Sequence, residues 1–256
     1  MLVAMYPLLL TLKDFTGFDF AKPKAIFKTI PKRLNDFVEI YVKYYHGWGL
    51  RALLNSVIVT TLSTILNVYF SAITAYAIVG YEWKLRKVFN NFVLALMMIP
   101  DIIATAGFIQ IVNKFELYGK LSLLILPAIA TPVSVVFMRL YLQSAYSKDI
   151  VESARIDGAG ELRIFHRIIL PIMKPAVATQ AIFAVAETWN DSYLPLMITA
   201  NIREKQTFPV AAMFMDAIGY DHGTIAVFIS VIPLLIVYLI LARNIVEGIQ
   251  LGSVKL

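Results

Sequence analysis

Three carboxylates sit inside apolar stretches of this chain, among residues that can do chemistry. Glu187, Asn190 and Asp191 are three and four residues apart, so on a helix they share one face. Trp189 and Tyr193 lie beside them. Such a set can offer hydrogen bonds and a stacking ring to a sugar. It can equally hold helices together, for instance through Glu187 pairing with Arg139. Asp101 follows Pro100 inside another apolar run. Broken backbone there can line a cavity, or the carboxylate can bond a freed backbone amide. As a relay, Asp101, Glu187 and Asp191 would suit a proton-coupled carrier. No residues have the spacing of a Ser-His-Asp set or a paired-carboxylate catalytic site. His46, His166 and His222 are scattered and suggest no metal cluster.

A second candidate is the polar segment "ESARIDGAGELRIFHRIILP", residues 152 to 171. Ser147 or Asp149 can cap a short helix over 149 to 157. Glu152 stands three residues after Asp149, as in a capping box. Gly158 and Gly160 bracket Ala159 and suit a tight turn. A second helix follows, with Leu162, Phe165 and Ile169 on one side, and Leu170-Pro171 ends or kinks it. Lys148, Arg155, Arg163 and Arg167 balance Asp149, Glu152, Asp157 and Glu161. Two helices this short have too little core to stand alone. Their apolar side must dock, either onto a partner or back onto the chain's own helices.

The elements that position these residues are membrane spans. Apolar residues make up 59% of the 256 and charged ones 16%, with mean hydropathy +0.72. A soluble domain is less apolar and more charged. A span needs about 20 apolar residues, and five stretches qualify: 52–81, 88–112, 121–142, 175–198 and 223–242. Residues 1–12 are apolar but too few to cross. They read as the remnant of a first span. No cysteine is present, which excludes disulfides, zinc-thiolate sites and catalytic thiols. The net charge of +6 reads as basic loops that hold topology rather than as a nucleic-acid surface. Placing 143–174 in the cytoplasm puts Lys84, Arg86, Lys87, Arg243 and Lys255 on the same side. Lys114, Lys120, Arg203 and Lys205 then lie opposite. The external stretch 13–51 runs against this rule with eight Lys or Arg. Its Phe37, Tyr41, Tyr44, Tyr45 and Trp48 suit an interfacial amphipathic helix or a surface for an external partner.

"ESARIDGAG", then "IILP" and "KP", resembles the cytoplasmic coupling loop of ABC importer permeases, roughly E-A-A-x-x-D-G-A and later I-x-L-P. Glu152, Ala154, Asp157, Gly158, Ala159, Ile169, Leu170 and Pro171 fall on that pattern, and Ser153 replaces its first alanine. "LLNSVIVT" at 53–60, "MMIP" at 97–100, "ETWNDSYLPLMIT" at 187–199, "TFPVAAMF" at 207–214 and "NIVEGIQLGSVK" at 244–255 resemble the carbohydrate branch. Within that branch they are similar to the maltose/multiple-sugar (MalG-like) permeases of binding-protein-dependent systems.

The resemblance implies an all-α integral membrane protein, a polytopic bundle of the type I ABC importer permease kind. Its family has six spans, the first short here. The implied organisation is 1–12 as the first-span remnant, 13–51 external, and 52–256 as the permease domain with its coupling loop at 145–174. It implies a second homologous permease, two copies of an ABC ATPase carrying ATP and Mg, an extracytoplasmic sugar-binding protein, and import of a sugar or oligosaccharide. Glu152 would cap or pair at the docked helix. Gly158, with Gly160 in the same loop, would let the ATPase approach, and Leu170 and Pro171 would fix the join to the next span. The chain contains no G-x-x-x-x-G-K-[ST] phosphate loop, so it is expected to bind no cofactor and hydrolyse no ATP itself. A permease for another solute shares the loop and is the nearest alternative.

Overall fold

The computed structural model describes residues 31, 35, 47–129, 131–216 and 230–241, and among these it is helical with no strand. The helices are α1 (Trp48–Val79), α2 (Arg86–Leu96), α3 (Asp101–Lys114), α4 (Ser122–Ile129), α5 (Pro132–Ala145) and α6 (Lys148–Ile156). Then come α7 (Glu161–Ile172), α8 (Lys174–Asn190), α9 (Tyr193–Thr199), α10 (Phe208–Asp216) and α11 (Ser230–Leu241). Residues 1–12, most of 13–46, His46 and His222 lie outside the described set.

Among the described residues two helices are long and apolar enough to cross a bilayer: α1, with 32 residues, and the run Ser122–Ala145, with 24. They correspond to the predicted spans 52–81 and 121–142. The predicted span 88–112 is not one straight helix. It is α2 and α3, bent by 94°. Pro100 disfavours helical backbone at the residue before it, and at φ −58°, ψ 130° it stands outside the helix that Asp101 starts. The predicted span 175–198 is also interrupted. Helix α8 stops at Asn190, α9 begins at Tyr193, and the approach from α7 to α8 bends by 79°. Of 223–242, α11 accounts for Ser230–Leu241.

A second proline break is repaired from outside its own helix. Pro132 has no N–H to give the carbonyl of Ala128, four residues earlier. Asn67 of α1 donates its Nδ2 there at 2.6 Å and to Thr131 Oγ1 at 2.9 Å, and Thr131 Oγ1 donates to the same carbonyl at 3.0 Å. Asn67 belongs to a buried stripe along α1 with Ser56, Thr60, Ser63, Thr64 and Ser71. Residues this small let neighbouring backbones approach closely, the usual means of packing where lipid offers no hydrophobic drive.

The described residues form two compact units. The first takes 47–58, 118–121, 189–216 and 230–236. Here Asn55 donates to the carbonyls of Glu204 and Gln206, both at 2.9 Å, and Ser56 Oγ accepts the N–H of Phe208 at 2.8 Å. Trp48 is buried beneath the Arg203 guanidinium, 5.3 Å from its ring centroid. It is a cation–π partner within the protein. The second unit takes 59–117, 122–129, 131–188 and 237–241. Its core joins Val68, Ala72 and Tyr76 of α1, Met138 and Leu142 of α5, Val151 of α6 and Ile164, Phe165 and Ile169 of α7.

Leu142 is fully buried in that core. Truncating it leaves a cavity that close-packed neighbours fill only in part. Leu142→Ala is expected to cost about 2–5 kcal/mol and to lower the thermal unfolding midpoint in detergent. Leu142→Met, which conserves volume, is expected to cost less than about 1.5 kcal/mol.

Candidate functional site

The segment 148–172 folds as a helical hairpin in the second unit. Helix α6 starts after Ser147, whose side chain makes no capping bond, and ends at Asp157. The capping-box role predicted for Glu152 is not realised. Glu152 lies at the helix middle, half exposed, and pairs with Lys148 one turn earlier at 3.3 Å. Gly158 takes φ +78°, and a Cβ there would meet no atom of this chain within 4 Å. Inside this chain, then, glycine is required by the left-handed backbone and not by a close neighbour. Its N–H donates to the Arg155 carbonyl at 3.0 Å, and Ala159 N–H donates to Ala154 O at 2.9 Å. Gly160 has an ordinary φ of −70° and starts α7. Its carbonyl accepts from Arg163 and Ile164 at 2.9 and 3.0 Å.

The apolar residues of the hairpin divide between two faces. Val151, Ile164, Phe165 and Ile169 are buried against α1 and α5, with Ala154, Ala159 and Leu170 packed at their margin. Phe165 stacks on Tyr76 at 6.0 Å and meets Tyr69 edge-on at 5.9 Å. Leu162, predicted to share the side of Phe165, is instead 66% exposed, and Ile156 is 86% exposed. Beyond this point Phe165–Ile169 form a π turn, in which the Leu170 N–H reaches back to Phe165 O. That turn sits just before Pro171, whose ring would crowd the carbonyl of a regular α turn. Helix α7 therefore runs through Pro171 to Ile172, and the bend falls at Met173.

One group with no motif to announce it binds the hairpin to α1. Glu161 Oε1 accepts from Arg155 Nε at 2.8 Å, and Oε2 accepts from Arg155 Nη2 at 3.4 Å and from Tyr76 Oη at 3.1 Å. Tyr81 Oη also donates to Oε2. The Arg155 guanidinium lies 5.4 Å from the centroid of the Tyr81 ring. Gly80 makes this geometry possible, since a Cβ there would come within 2.5 Å of the Tyr76 ring. His166 adds a further strut, with Nδ1 on the Leu162 carbonyl at 2.7 Å and Nε2 facing Tyr69 Oη at 3.3 Å.

Magnitudes divide the work. The Arg155 and Glu161 side chains are 35% and 45% exposed, and such a pair contributes roughly 0–1 kcal/mol. Full burial of a side chain such as Ile164 or Phe165 contributes about 1.5–3 kcal/mol. Burial therefore holds the hairpin down, and Glu161 sets its direction. The Arg155 bonds hold the Glu161 carboxyl below the usual carboxylate range, against an opposing effect of burial. Burial pushes Tyr81 above the usual phenol range, so it stays a donor.

The predicted substrate-path residues have local roles. Asp191 Oδ1 accepts the N–H groups of Tyr193 and Leu194 at 3.0 and 3.4 Å, capping α9 across the break after α8. Trp189 is 2% exposed and gives its Nε1 to Ser230 O at 2.8 Å, so its ring is packed. Tyr193, Asn190 and Glu187 are exposed. Arg139 does not serve Glu187. It donates to Asn90 Oδ1. Asp101 is exposed in the first turn of α3, where a negative charge suits the helix dipole.

Residues 67–250 match the family of binding-protein-dependent transport system inner membrane components. The chain belongs to that family. It is a multi-pass inner-membrane permease with the type I ABC importer fold. It is 30% identical over 236 residues to the arabinooligosaccharides transport system permease protein AraQ of Halalkalibacterium halodurans, across 90% of this chain and 82% of that protein. It is 32% identical over 210 residues to the trehalose/maltose transport system permease protein MalG of Thermococcus litoralis, across 78% and 74%. A bacterial ABC transporter involved in the import of the acidic polysaccharide alginate has the same fold in its crystal structure. The TM-score is 0.67 at 21% identity, over 77% of this chain and 75% of that one.

The permease's hairpin attachment is expected to depend on pH with a definite sign. Because the folded Glu161 is more acidic than the free side chain, its contribution is complete above the ordinary carboxylate pKa. It is lost as pH falls through the lowered value. Glu161→Gln is expected to reduce amide protection factors over 155–165 at neutral pH and to abolish their loss in that acid window. Unchanged protection would show that Glu161 does not hold the hairpin.

Proposed function

We propose that this permease is one of two non-identical membrane subunits of an importer for a sugar or oligosaccharide, and that residues 152–171 couple it to a separate ATPase. The observation that carries the coupling role is the division of the hairpin into two apolar faces. One is buried in the permease. The other presents Ile150, Ile156 and Leu162 to the outside on a rigid support. An apolar helix face of this kind suits a groove on a partner. The left-handed turn at Gly158 leaves open space at the tip, where the ATPase surface would sit.

In this reading two ATPase copies carry ATP and Mg, and nucleotide binding closes them. The hairpin moves with its groove, and the bidentate Arg155–Glu161 contact, with Tyr76 and Tyr81, passes that movement into α1. The permease pair then alternates between inward- and outward-facing states because nucleotide favours one of them. An extracytoplasmic binding protein delivers the solute. The relatives named for arabinooligosaccharides and for trehalose/maltose support a carbohydrate as that solute. Asp101, Glu187, Asn190 and Tyr193 are exposed polar residues and remain the candidates for its path, with Asp191 and Trp189 holding the backbone near them.

The test uses the transporter assembled from its own host and reconstituted in vesicles. Gly158→Asp is expected to stop uptake of labelled oligosaccharide while ATP hydrolysis persists. Ile156→Ser touches little within the chain, so its effect on stability is expected to stay within about 0.5 kcal/mol, while ATPase recovery on purification falls. Unaltered uptake in both variants would sink the coupling role. Absence of any ATPase from the purified assembly, even after crosslinking at residue 158, would remove the importer reading.

A further inference from the structure

In the second unit, cations gather where no carboxylate answers them. Arg86 and Lys87 open α2, Asn90 and Asn91 follow one turn later, and with Arg139 and Gln143 of α5 they line a concavity of about 400 Å³. The spacing i, i+1, i+4, i+5 places both cations and both amides on one side of α2. Leu85, Val88 and Phe92 are exposed on the remainder. No Asp or Glu lines the concavity. Arg139 gives one N–H to Asn90, but its buried Nε has no acceptor among the described residues. A buried donor without an acceptor is costly, and this one belongs to a side chain that lines the basic concavity.

Several acceptor oxygens and a full negative charge are what three cations and three amides can satisfy together. Phosphate has both, and the guanidinium fork matches it. A neutral sugar does not need three cations. The surroundings select the source. Trp83 closes the turn after α1, its Nε1 donating to Ala77 O at 3.2 Å. Tryptophan and basic residues together are typical of the level where a membrane protein meets lipid headgroups. The exposed apolar side of α2 begins beside the cations, so an acyl chain and a headgroup can be served by one helix.

We infer that Arg86, Lys87 and Arg139, with Asn90, Asn91 and Gln143, form a binding site for the phosphate group of an anionic phospholipid. Bound there, the lipid bridges α2 and α5, which pack through Val93 and Val135. This inference rests on the membrane location of the chain and is independent of which solute it carries.

The experiment uses the assembled transporter in nanodiscs of phosphatidylcholine with or without phosphatidylglycerol, followed by native mass spectrometry of retained lipid. Wild type is expected to retain phosphatidylglycerol selectively. The double variant Arg86→Gln, Lys87→Gln is expected to retain it roughly 30-fold less well, from the loss of two interfacial charges. The exposed Lys87→Gln alone is expected to lose about fivefold. Thermal unfolding in lipid-free detergent should be the same for all three. Equal retention in wild type and variants overturns the site. Stabilisation by inorganic phosphate as strong as that by phosphatidylglycerol overturns the lipid as its source. Lipid retained only when the partner subunits are stripped away also overturns it, because an acidic partner side chain then fills the concavity.

Discussion

Glu161 accepts hydrogen bonds from Arg155 and from the hydroxyls of Tyr76 and Tyr81, and this shared carboxylate relates three elements whose other contacts are mostly apolar, the Tyr69–His166 pair apart. Apolar burial is non-directional. It presses α6 and α7 against α1 and α5 without settling how the hairpin is rotated. A carboxylate with charge-assisted donors on both oxygens does settle it. Once the rotation is set, Val151, Ile164 and Phe165 face inward, and Ile156 and Leu162 face outward. The outward set is the surface that the proposed coupling would use.

The site also shows how a helical membrane protein manages broken backbone. Pro100, Pro132 and Pro171 each remove a donor, and each is accommodated differently. Before Pro100 the helix simply stops, and the chain turns by 94°. At Pro132 the orphaned carbonyl is met by an asparagine from another helix. Next to Pro171 a π turn absorbs the misfit, and the helix goes on. Lipid cannot supply the missing bonds, so each break needs a solution within the protein. Asn67 is therefore a structural residue despite its polar character.

Function in such a protein resides at surfaces that leave the fold undisturbed. The hairpin tip and the basic concavity beside α2 belong to the second unit, and both combine exposed apolar residues with charge. The hairpin's outward face is apolar at its centre, suiting a protein groove. The concavity is cationic with apolar residues alongside, suiting a charged headgroup with an acyl chain. Their chemistry differs, so the two surfaces suit different occupants.

Membrane residence, the helical class, the position of the hairpin and the glycine at its turn were legible in the sequence. Each follows from local composition: apolar runs of spanning length, and polar residues confined to one segment between them. The words "LLNSVIVT" and "TFPVAAMF" were legible as a resemblance, and the structure supplies a reason for their pairing, since Ser56 holds the Phe208 amide. What only the tertiary structure decided is which residues meet. Glu161's tie to α1 carried no signal because its two tyrosine partners lie 80 and 85 residues away. Gly80 carried none because its need is for the space taken by the Tyr76 ring. Leu162 was assigned to the wrong face because spacing alone does not say where a buried stripe is centred, and here it is centred on Ile164 and Phe165. Trp189 looked available to a ligand because a sequence does not show burial. Local pattern sets what a segment can become, whereas the long-range partners of its polar groups decide how it is finally turned.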